Sequence, residues 1–311
     1  MADYTYFGIA NEILTSFNEV PFADTTEFDA ATGFHLFIKE QINNVLAKIY
    51  QKGHNEWPFQ RVFTTQVLTI GETDYTSPSA AAKLDWGSFY IDRVYGDEND
   101  FTSVTADSGT STFTITAGSF ITKGFEVGMK VRWQNLSANT GSDFTITTLT
   151  ATVMTVSESV TTISTPDTSF KVENAFPFSS SRKLTLIDED TYVNNYLENA
   201  RRAVLTTNYT TPSKVVREND NNWKVAPIKP DNTYLVRYAY YDAFTELSSS
   251  TDVPAFPERH KHILKSGVLS SGNRFRDNVE LASFYKTEFK EQVNLLIDEL
   301  IPFPEYSRYI N

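Results

Sequence analysis

The chain has 311 residues, no cysteine and a formal net charge of −12, from 27 basic and 39 acidic side chains. It can hold no disulfide framework, thiolate nucleophile or Cys-ligated zinc site. The acidic balance argues against a general nucleic-acid binder, because such proteins neutralise phosphates with Lys and Arg. The N-terminus lacks the basic and apolar regions of a signal peptide, and no apolar run approaches the roughly 20 residues that span a bilayer. We therefore expect a soluble protein without a secretion signal.

The acidic side chains are concentrated towards the N-terminus. Residues 1–100 carry 6 basic and 15 acidic side chains, whereas residues 201–311 carry 15 basic and 14 acidic ones. An acidic surface keeps a protein soluble, and it also repels duplex DNA and lets the duplex slide past. The composition alone leaves both interpretations open.

The N-terminal segment predicts two amphipathic helices. An apolar stripe with helical spacing predicts the first over residues 6–17. Residues 26–29 then fit a capping box, and the pattern predicts a longer helix from there to about Lys52. Gly53 is expected to cap its C-terminus. Two adjacent helices of this kind predict a helical hairpin.

After Trp57-Pro58-Phe59 the apolar period becomes strand-like. Asp188 is expected to cap one helix, running from Glu189 to about Arg202, within this otherwise β-rich part. Strands are predicted, in chain order, over residues 61–70, 86–95, 183–187, 214–217, 223–225 and 234–240, with turns at 71–74 and 230–233.

Residues 101–172 differ from the rest of the chain in being rich in Ser and Thr. Apolar residues alternate with polar ones in short runs, as at Phe113 and Ile115 and again at Phe144 and Ile146. Glycines separate these runs. The pattern predicts a small antiparallel β module.

The C-terminal part predicts two more helices, over residues 257–270 and 279–300. Asp277 and Glu280 are expected to form a capping box for the second. The tail, residues 301–311, is too rich in proline for a helix, yet it carries aromatic side chains. The predicted core stripe of the last helix consists of Leu281, Phe284, Tyr285, Phe289, Val293, Leu296 and Leu300.

These elements predict an α+β protein in three parts. Residues 1–60 and 248–311 form a helical bundle with a C-terminal docking tail, because amphipathic helices at the two chain ends lack a partner unless they meet. Residues 61–100 and 173–247 form an antiparallel β-rich domain with one helix. Residues 101–172 form an inserted small all-β module.

No arrangement of residues points to catalysis, a cofactor or a metal. His260 and His262 are two residues apart, so on a helix they point about 200° apart and cannot share one metal ion. Residues 97–100 are interpreted as a solvated turn rather than a calcium loop. Asp188 and Glu189 stand at a helix start, where carboxylates favour the positive end of the helix dipole. We predict that the protein is not an enzyme.

The outer parts of the chain, about residues 6–96 and 183–300, resemble a known family in the order and spacing of short motifs. The motifs are the helix and turn at 9–21, Gly53 with Trp57-Pro58-Phe59, the strand and turn at 68–75, the strand at 233–241, and the Asp-x-Pro and Pro-Glu pairs at 251–254 and 256–258. The family is the portal adaptor, or tail tubular protein A, family of short-tailed phages.

Two features depart from the family pattern. Asn55 and Glu56, with His54 before them, make the loop between Gly53 and Trp57 longer than usual. Residues 101–172 are an insertion. Its residues 118–128 and 144–147 resemble a small β module that recurs in phage structural proteins.

The resemblance implies a head-tail connector in the virion neck, assembled in the host cytoplasm without membrane contact. Its copies would form a homo-oligomeric, dodecameric ring that joins the portal protein to the tail nozzle protein. Genomic DNA would pass through without sequence-specific binding during ejection, and the β insertion would face outward and contact tail fibres. In relatives the C-terminal segment docks on the portal, which makes Phe303, Tyr306, Tyr309 and Asn311 the candidate docking residues.

Two other functions remain open from the sequence. The first is a tail-associated binding module that recognises a fibre or a host glycan through the aromatic residues of 101–172. The second is a hydrolase that uses carboxylates such as Asp188 and Glu189.

Overall fold

The computed structural model describes residues 4–53, 56–174, 180–197, 209–219, 221–227 and 229–301. Helices and antiparallel sheets in these residues confirm the predicted α+β class. In chain order the helices are α1 (Tyr6–Ser16), α2 (Thr25–Asp29), α3 (Gly33–Lys52), α4 (Glu189–Asn195), α5 (Lys261–Phe275) and α6 (Val279–Leu300).

Sixteen strands are assigned within the described residues. They are β1 (Arg61–Leu68), β2 (Asp74–Thr76), β3 (Ala81–Asp92), β4 (Tyr95–Asp97), β5 (Val104–Asp107), β6 (Thr112–Ile115), β7 (Lys130–Gln134), β8 (Asp143–Leu149), β9 (Val153–Val156), β10 (Ile163–Asp167), β11 (Lys171–Asn174), β12 (Arg182–Lys183), β13 (Thr185–Ile187), β14 (Lys214–Arg217), β15 (Asn222–Ala226) and β16 (Tyr234–Asp242).

The chain divides into two compact units. The helical unit comprises Met1–Val62, Ala80–Lys83 and Tyr241–Asn311, and the β unit comprises Phe63–Ser79 and Leu84–Tyr240. The division of the β-rich part into a domain and an inserted module over residues 101–172 stays a prediction.

The second N-terminal helix is interrupted, and the prediction of one helix from residue 26 to Lys52 is therefore wrong. The chain leaves α2 after Asp29 and re-enters a helix at Gly33, whose φ of +56° lies in the left-handed region that favours glycine. The predicted capping box at residues 26–29 is also misplaced. Asp24 accepts from the Glu27 amide at 2.9 Å, and the Glu27 carboxylate accepts from the Ala23 amide at 2.7 Å.

Gly53 caps the C-terminus of α3 as predicted, and its amide donates to the Ile49 carbonyl at 3.3 Å. Its φ is −82°, which any residue adopts. A Cβ on Gly53 would instead lie 2.3 Å from the Trp57 ring, and the Trp57 Nε1 donates to the Ile49 carbonyl at 3.0 Å. Because Gly53 has no side chain, the Trp57 ring can pack directly against it. The indole N–H of this buried tryptophan can then donate its hydrogen bond.

The two C-terminal helices pack antiparallel to each other as a hairpin. α5 runs to Phe275, five residues beyond the predicted end, and α6 has the predicted bounds. Asn278 caps α6 by accepting from the Leu281 amide, so the expected cap at Asp277 is wrong. Asp277 lies one residue before this cap, at φ +57° in the tight connection.

The core of the helical unit combines both chain ends. Gly267 on α5 allows close packing, because a Cβ there would lie 2.6 Å from Val45 and 3.0 Å from Phe289. The meeting of N- and C-terminal helices, expected from their unpaired apolar stripes, is thus seen inside one unit. Its fully buried members include Ala10, Ile13, Leu14, Phe28, Ile38, Ile42, Val45, Leu46, Ile49, Trp57, Phe256, Leu264 and Val268.

The β unit contains an eight-stranded antiparallel sheet in the order β10-β5-β6-β9-β8-β7-β11-β4. Antiparallel strands were predicted for residues 101–172, and this sheet confirms them. Two four-stranded sheets, β1-β16-β3-β12 and β13-β14-β15-β2, complete the strand assignment.

Two predicted strands are each divided in the structure. The strand expected over residues 86–95 ends at Asp92, and β4 starts at Tyr95 in another sheet. The strand expected over residues 183–187 is likewise divided into β12 and β13, which lie on either side of the buried Leu184. Periodicity reports alternation along the chain, but it does not report which sheet each part of the chain joins.

Candidate functional site

The described residues contain no group of three or more His, Cys, Asp or Glu side chains that could hold a metal ion. The rings of His260 and His262 lie 6.4 Å apart between centroids. His260 is buried and its Nε2 accepts from the Arg259 Nε at 2.8 Å. Burial, followed by the Arg259 charge, lowers the pKa of His260, which favours the neutral ring.

Asp188 and residues 97–100 have structural partners. The Asp188 carboxylate accepts from the Thr191 amide at 2.6 Å, and this backbone hydrogen bond lowers its pKa, as expected for an N-cap. Asp97 accepts from the Asn99 amide at 2.9 Å and its own amide donates to Asp100. These carboxylates organise a helix start and a turn.

The aromatic residues within 101–172 lie inside a hydrophobic core. Phe113, Phe120, Trp133, Phe144 and Phe170 are all buried, and the Phe113 and Trp133 rings stack at 4.8 Å between centroids. Glycan recognition through aromatic residues requires their faces to be open to solvent. These side chains therefore offer no such platform.

A groove with a strongly basic rim lies between α3, α5 and α6 of the helical unit. Its volume is about 720 Å³. Its floor is made of small and apolar residues, and none of the described residues that line it is a carboxylate. The five cationic residues at its rim, all exposed, are Lys48, Lys52, Arg274, Lys286 and Lys290. We call this feature the basic groove.

The helices place these cations close together. Lys48 and Lys52 are four residues apart on α3, as are Lys286 and Lys290 on α6, so each pair shares a helix face. Like charges at this spacing destabilise a helix slightly. Among the described residues, none of the five cations of the basic groove forms an ion pair. The groove thus concentrates unneutralised positive charge on an acidic chain.

The opposite side of α6 exposes large apolar side chains. Leu281 and Phe284, predicted on the core stripe, are 44% and 62% exposed, and Leu295 is 68% exposed. Their placement in the core was wrong, whereas Val293 and Leu296 are buried as predicted. α5 packs along only one side of α6, so part of its apolar surface stays uncovered.

Carboxylates surround these three apolar residues. At about 100° per residue, Glu288 and Glu291 lie within about 40° of Phe284 around the helix axis. No described residue forms an ion pair with them. We call this surface the acidic face; it comprises Glu280, Leu281, Phe284, Glu288, Glu291, Leu295, Asp298 and Glu299.

A comparison with protein families identifies the class of protein. A family model described as SU10 adaptor protein matches residues 131–302, which is 172 of the 311 residues and more than half of the chain. The chain belongs to the SU10 adaptor protein family. It is thus a structural adaptor of the phage neck, and α5 and α6 lie inside the matched region. No curated protein matches the chain.

The family match is broader than the resemblance found in the motifs. It supports a phage adaptor-type protein, while membership of the tail tubular protein A family stays a prediction. No helix among the described residues of this adaptor is both long and apolar enough to cross a bilayer.

The candidate docking residues of the adaptor lie outside the described residues. Phe303, Tyr306, Tyr309 and Asn311 belong to residues 302–311, so their docking role stays a prediction. The basic groove was not predicted from the sequence. Its detectable signal was the pair of Lys-x-x-x-Lys spacings in α3 and α6, but the spacing could not show that both pairs border one groove.

Proposed function

We propose that this adaptor is a structural, non-enzymatic virion protein whose copies form a ring between the portal protein and the tail nozzle. Membership of the SU10 adaptor family supports the general role. The observation that carries the specific proposal is the acidic face of α6, where Leu281, Phe284 and Leu295 are exposed together on a helix of the core bundle.

An exposed apolar surface on a folded helix favours assembly. Each large apolar side chain removed from water contributes roughly 1.5–3 kcal/mol, before the cost of association. Leu281 and Phe284 are adjacent, one turn apart, and Leu295 lies about three turns further along the same side of α6. Soluble monomers rarely expose large apolar patches, whereas subunits of assemblies do so at their contacts. A ring protein needs contacts of this kind on every copy.

The charge of the chain suits a DNA conduit. Each copy contributes −12, and residues 1–100 hold 6 basic and 15 acidic side chains. In a ring these carboxylates would repel the phosphates of a passing duplex and prevent it from adhering. We propose that part of this acidic region faces the channel, and that the insertion over residues 101–172 faces outward towards tail fibres.

The docking tail gives the proposal a direct test. We propose that Phe303, Tyr306, Tyr309 and Asn311 anchor each copy to the portal protein. The full chain and a variant lacking residues 302–311 should be mixed with portal protein from the same phage and imaged by negative-stain electron microscopy. We expect a ring of density under the portal with the full chain only. A full chain that stays monomeric with assembled portal present would contradict the proposal.

A further inference from the structure

We infer that neighbouring copies of the chain pack by placing the acidic face of α6 of one copy in the basic groove of the next. This inference rests on the proposed ring. It assigns the contact between copies to two surfaces that every copy carries, and it names a second copy of this chain as the occupant of the groove.

The two surfaces are complementary in charge. The basic groove carries five cations, Lys48, Lys52, Arg274, Lys286 and Lys290, with no carboxylate among its lining residues. The acidic face carries five carboxylates, Glu280, Glu288, Glu291, Asp298 and Glu299, and no cation lies between them on that side of α6. None of these ten groups has an ion-pair partner among the described residues. Each surface therefore lacks the charges that the other one supplies.

The two surfaces are also complementary in shape and polarity. The lining of the groove contains Ser270, Ser271 and Ser283, whose small side chains leave room for larger ones. The acidic face offers Phe284 and Leu295, which are exposed and large. On the acidic face, Glu288 and Glu291 lie between these two apolar residues along the helix, so an occupied groove would receive apolar and charged groups together.

The position of the surfaces favours a ring over a pair. Lys286 of the groove and Phe284 of the acidic face are two residues apart, so they point about 200° apart around α6. A contact between different surfaces of identical copies is heterologous, and it leaves one free surface at each end of a pair. Successive copies can add until the ring closes, whereas contact between identical surfaces would stop at a dimer.

Duplex DNA is the competing occupant of a basic groove. The observations favour a protein, because Val279 and Phe289 contribute apolar surface to the lining and the matching acidic surface lies on the same chain. DNA binding would need only the cations and would leave the exposed Phe284 unexplained.

A charge exchange tests the pairing. Variant A carries Lys286→Glu and Lys290→Glu in the groove, and variant B carries Glu288→Lys and Glu291→Lys on the acidic face. We expect each variant alone to lose self-association by at least tenfold, because the net charge of the groove falls from +5 to +1 in A and that of the face from −5 to −1 in B. An equimolar mixture should restore assembly, since the unaltered face of A meets the unaltered groove of B, and the reversed charges of B meet those of A at the alternate contact.

The measurement is mass photometry of the full chain, alone and with portal protein, at physiological ionic strength. A matched control for variant A is Lys130→Glu with Lys183→Glu, which makes the same change in net charge as A at two exposed lysines of the β unit. The control should assemble like the parent chain. Assembly of A and B that equals that of the parent, or a mixture that fails to recover, would overturn the inference while leaving the ring intact. A parent chain that never associates, even with portal protein, would instead overturn the proposed function.

Cysteine cross-linking provides a second measurement that does not depend on altered charge. The natural chain has no cysteine, so Ser270→Cys in the groove and Phe284→Cys on the acidic face would be the only thiols. A chain with both substitutions should form a ladder of covalent oligomers on oxidation, with one disulfide formed per contact as two thiols are oxidised by added copper phenanthroline. Dimers alone, or no cross-links, would overturn the inference.

A labelled DNA duplex completes the test. We expect the duplex to bind the parent and variant A equally weakly. Binding by the parent that variant A loses, together with unchanged self-association, would assign the groove to DNA and overturn the inference.

Discussion

The eight-stranded sheet and the helical unit obtain their cores in different ways. The buried core of the sheet runs from Val94 to Val172, a continuous part of the chain. The buried core of the helical unit combines Tyr6 to Trp57 with Leu247 to Leu296. A core drawn from one continuous segment can be complete in itself. A core assembled from both chain ends depends on their meeting, and each helix covers only the sides that find a partner.

The surfaces of the two regions reflect this difference. The phenylalanine residues and Trp133 of the sheet region are buried in its own core, whereas its exposed Tyr95, Ile121 and Val127 are scattered single residues. The helical unit exposes Phe284 and Leu295 on a regular helix. Scattered exposed residues are ordinary in any protein, whereas a regular apolar face is a place for another chain.

The largest expected effect concerns a buried aromatic of the sheet. Trp133→Ala removes a fully buried ring that stacks on Phe113, and we expect a loss of about 3–5 kcal/mol in unfolding free energy. The exposed Phe284→Ala is the matched control, with an expected change within about 0.5 kcal/mol. Hydrogen exchange should show faster exchange in the sheet for the first variant. If Trp133→Ala and Phe284→Ala lowered the unfolding free energy equally, the contrast between a buried sheet core and an exposed helix face would be wrong.

The next effect concerns the connection between the two chain ends. The Asn43 side chain accepts from the Leu247 amide and donates to the Leu247 carbonyl, both at 3.0 Å. Asn43→Ala leaves both backbone groups without this partner and should cost about 1–3 kcal/mol. The neighbouring Asn44 is exposed, and Asn44→Ala should cost far less. Thermal unfolding would separate the two, and a similar cost for both would contradict the role given to Asn43.

A smaller effect concerns an ion pair between α1 and α5. Burial acts to raise the pKa of Glu12, but the hydrogen bonds and charges of Lys261 and Lys265 outweigh it and hold the pKa below its usual range. The folded carboxylate therefore contributes stability above its unfolded pKa, and this contribution disappears as the pH falls through the folded pKa. Because the groups are partly exposed, Glu12→Gln should cost at most about 1 kcal/mol at pH 7.

Denaturant titrations at several pH values would check this dependence. The parent and Glu12→Gln should converge in stability at low pH, and added salt should reduce their difference at pH 7. A difference that persists at low pH would show that Glu12 stabilises by packing instead.

The smallest expected effect has the opposite sign and lies in the β unit. Burial raises the pKa of Glu126, although Thr233 and Thr69 donate to its carboxylate at 3.3 and 3.5 Å. A raised folded pKa means that the charged form costs stability as the pH rises through that pKa. Glu126→Gln should therefore be neutral or stabilising by up to about 0.5 kcal/mol at pH 7, after allowance for solvent screening. A destabilised Gln variant at pH 7, measured by urea denaturation, would contradict this sign.

Much of the secondary structure could be predicted because it follows local rules. The alternation in residues 101–172 predicted antiparallel strands, and the bounds of α6 match the prediction. The interruption before Gly33 was missed because Asp24 and Glu27 compete with residues 26–29 as a capping box. Both candidate capping boxes fit the same sequence pattern. The box that forms, with Asp24 and Glu27, occurs together with a buried Phe28.

By itself, the sequence determined the helix and strand periodicity, the absence of cysteine chemistry and the excess of acidic charge. Only the tertiary structure decided which apolar residues of α6 are buried, which left Phe284 exposed beside a run of carboxylates. It also brought Lys48 and Lys286, more than 200 positions apart, to one groove. Periodicity depends on neighbours along the helix, whereas burial and charge clustering depend on which distant segments pack together.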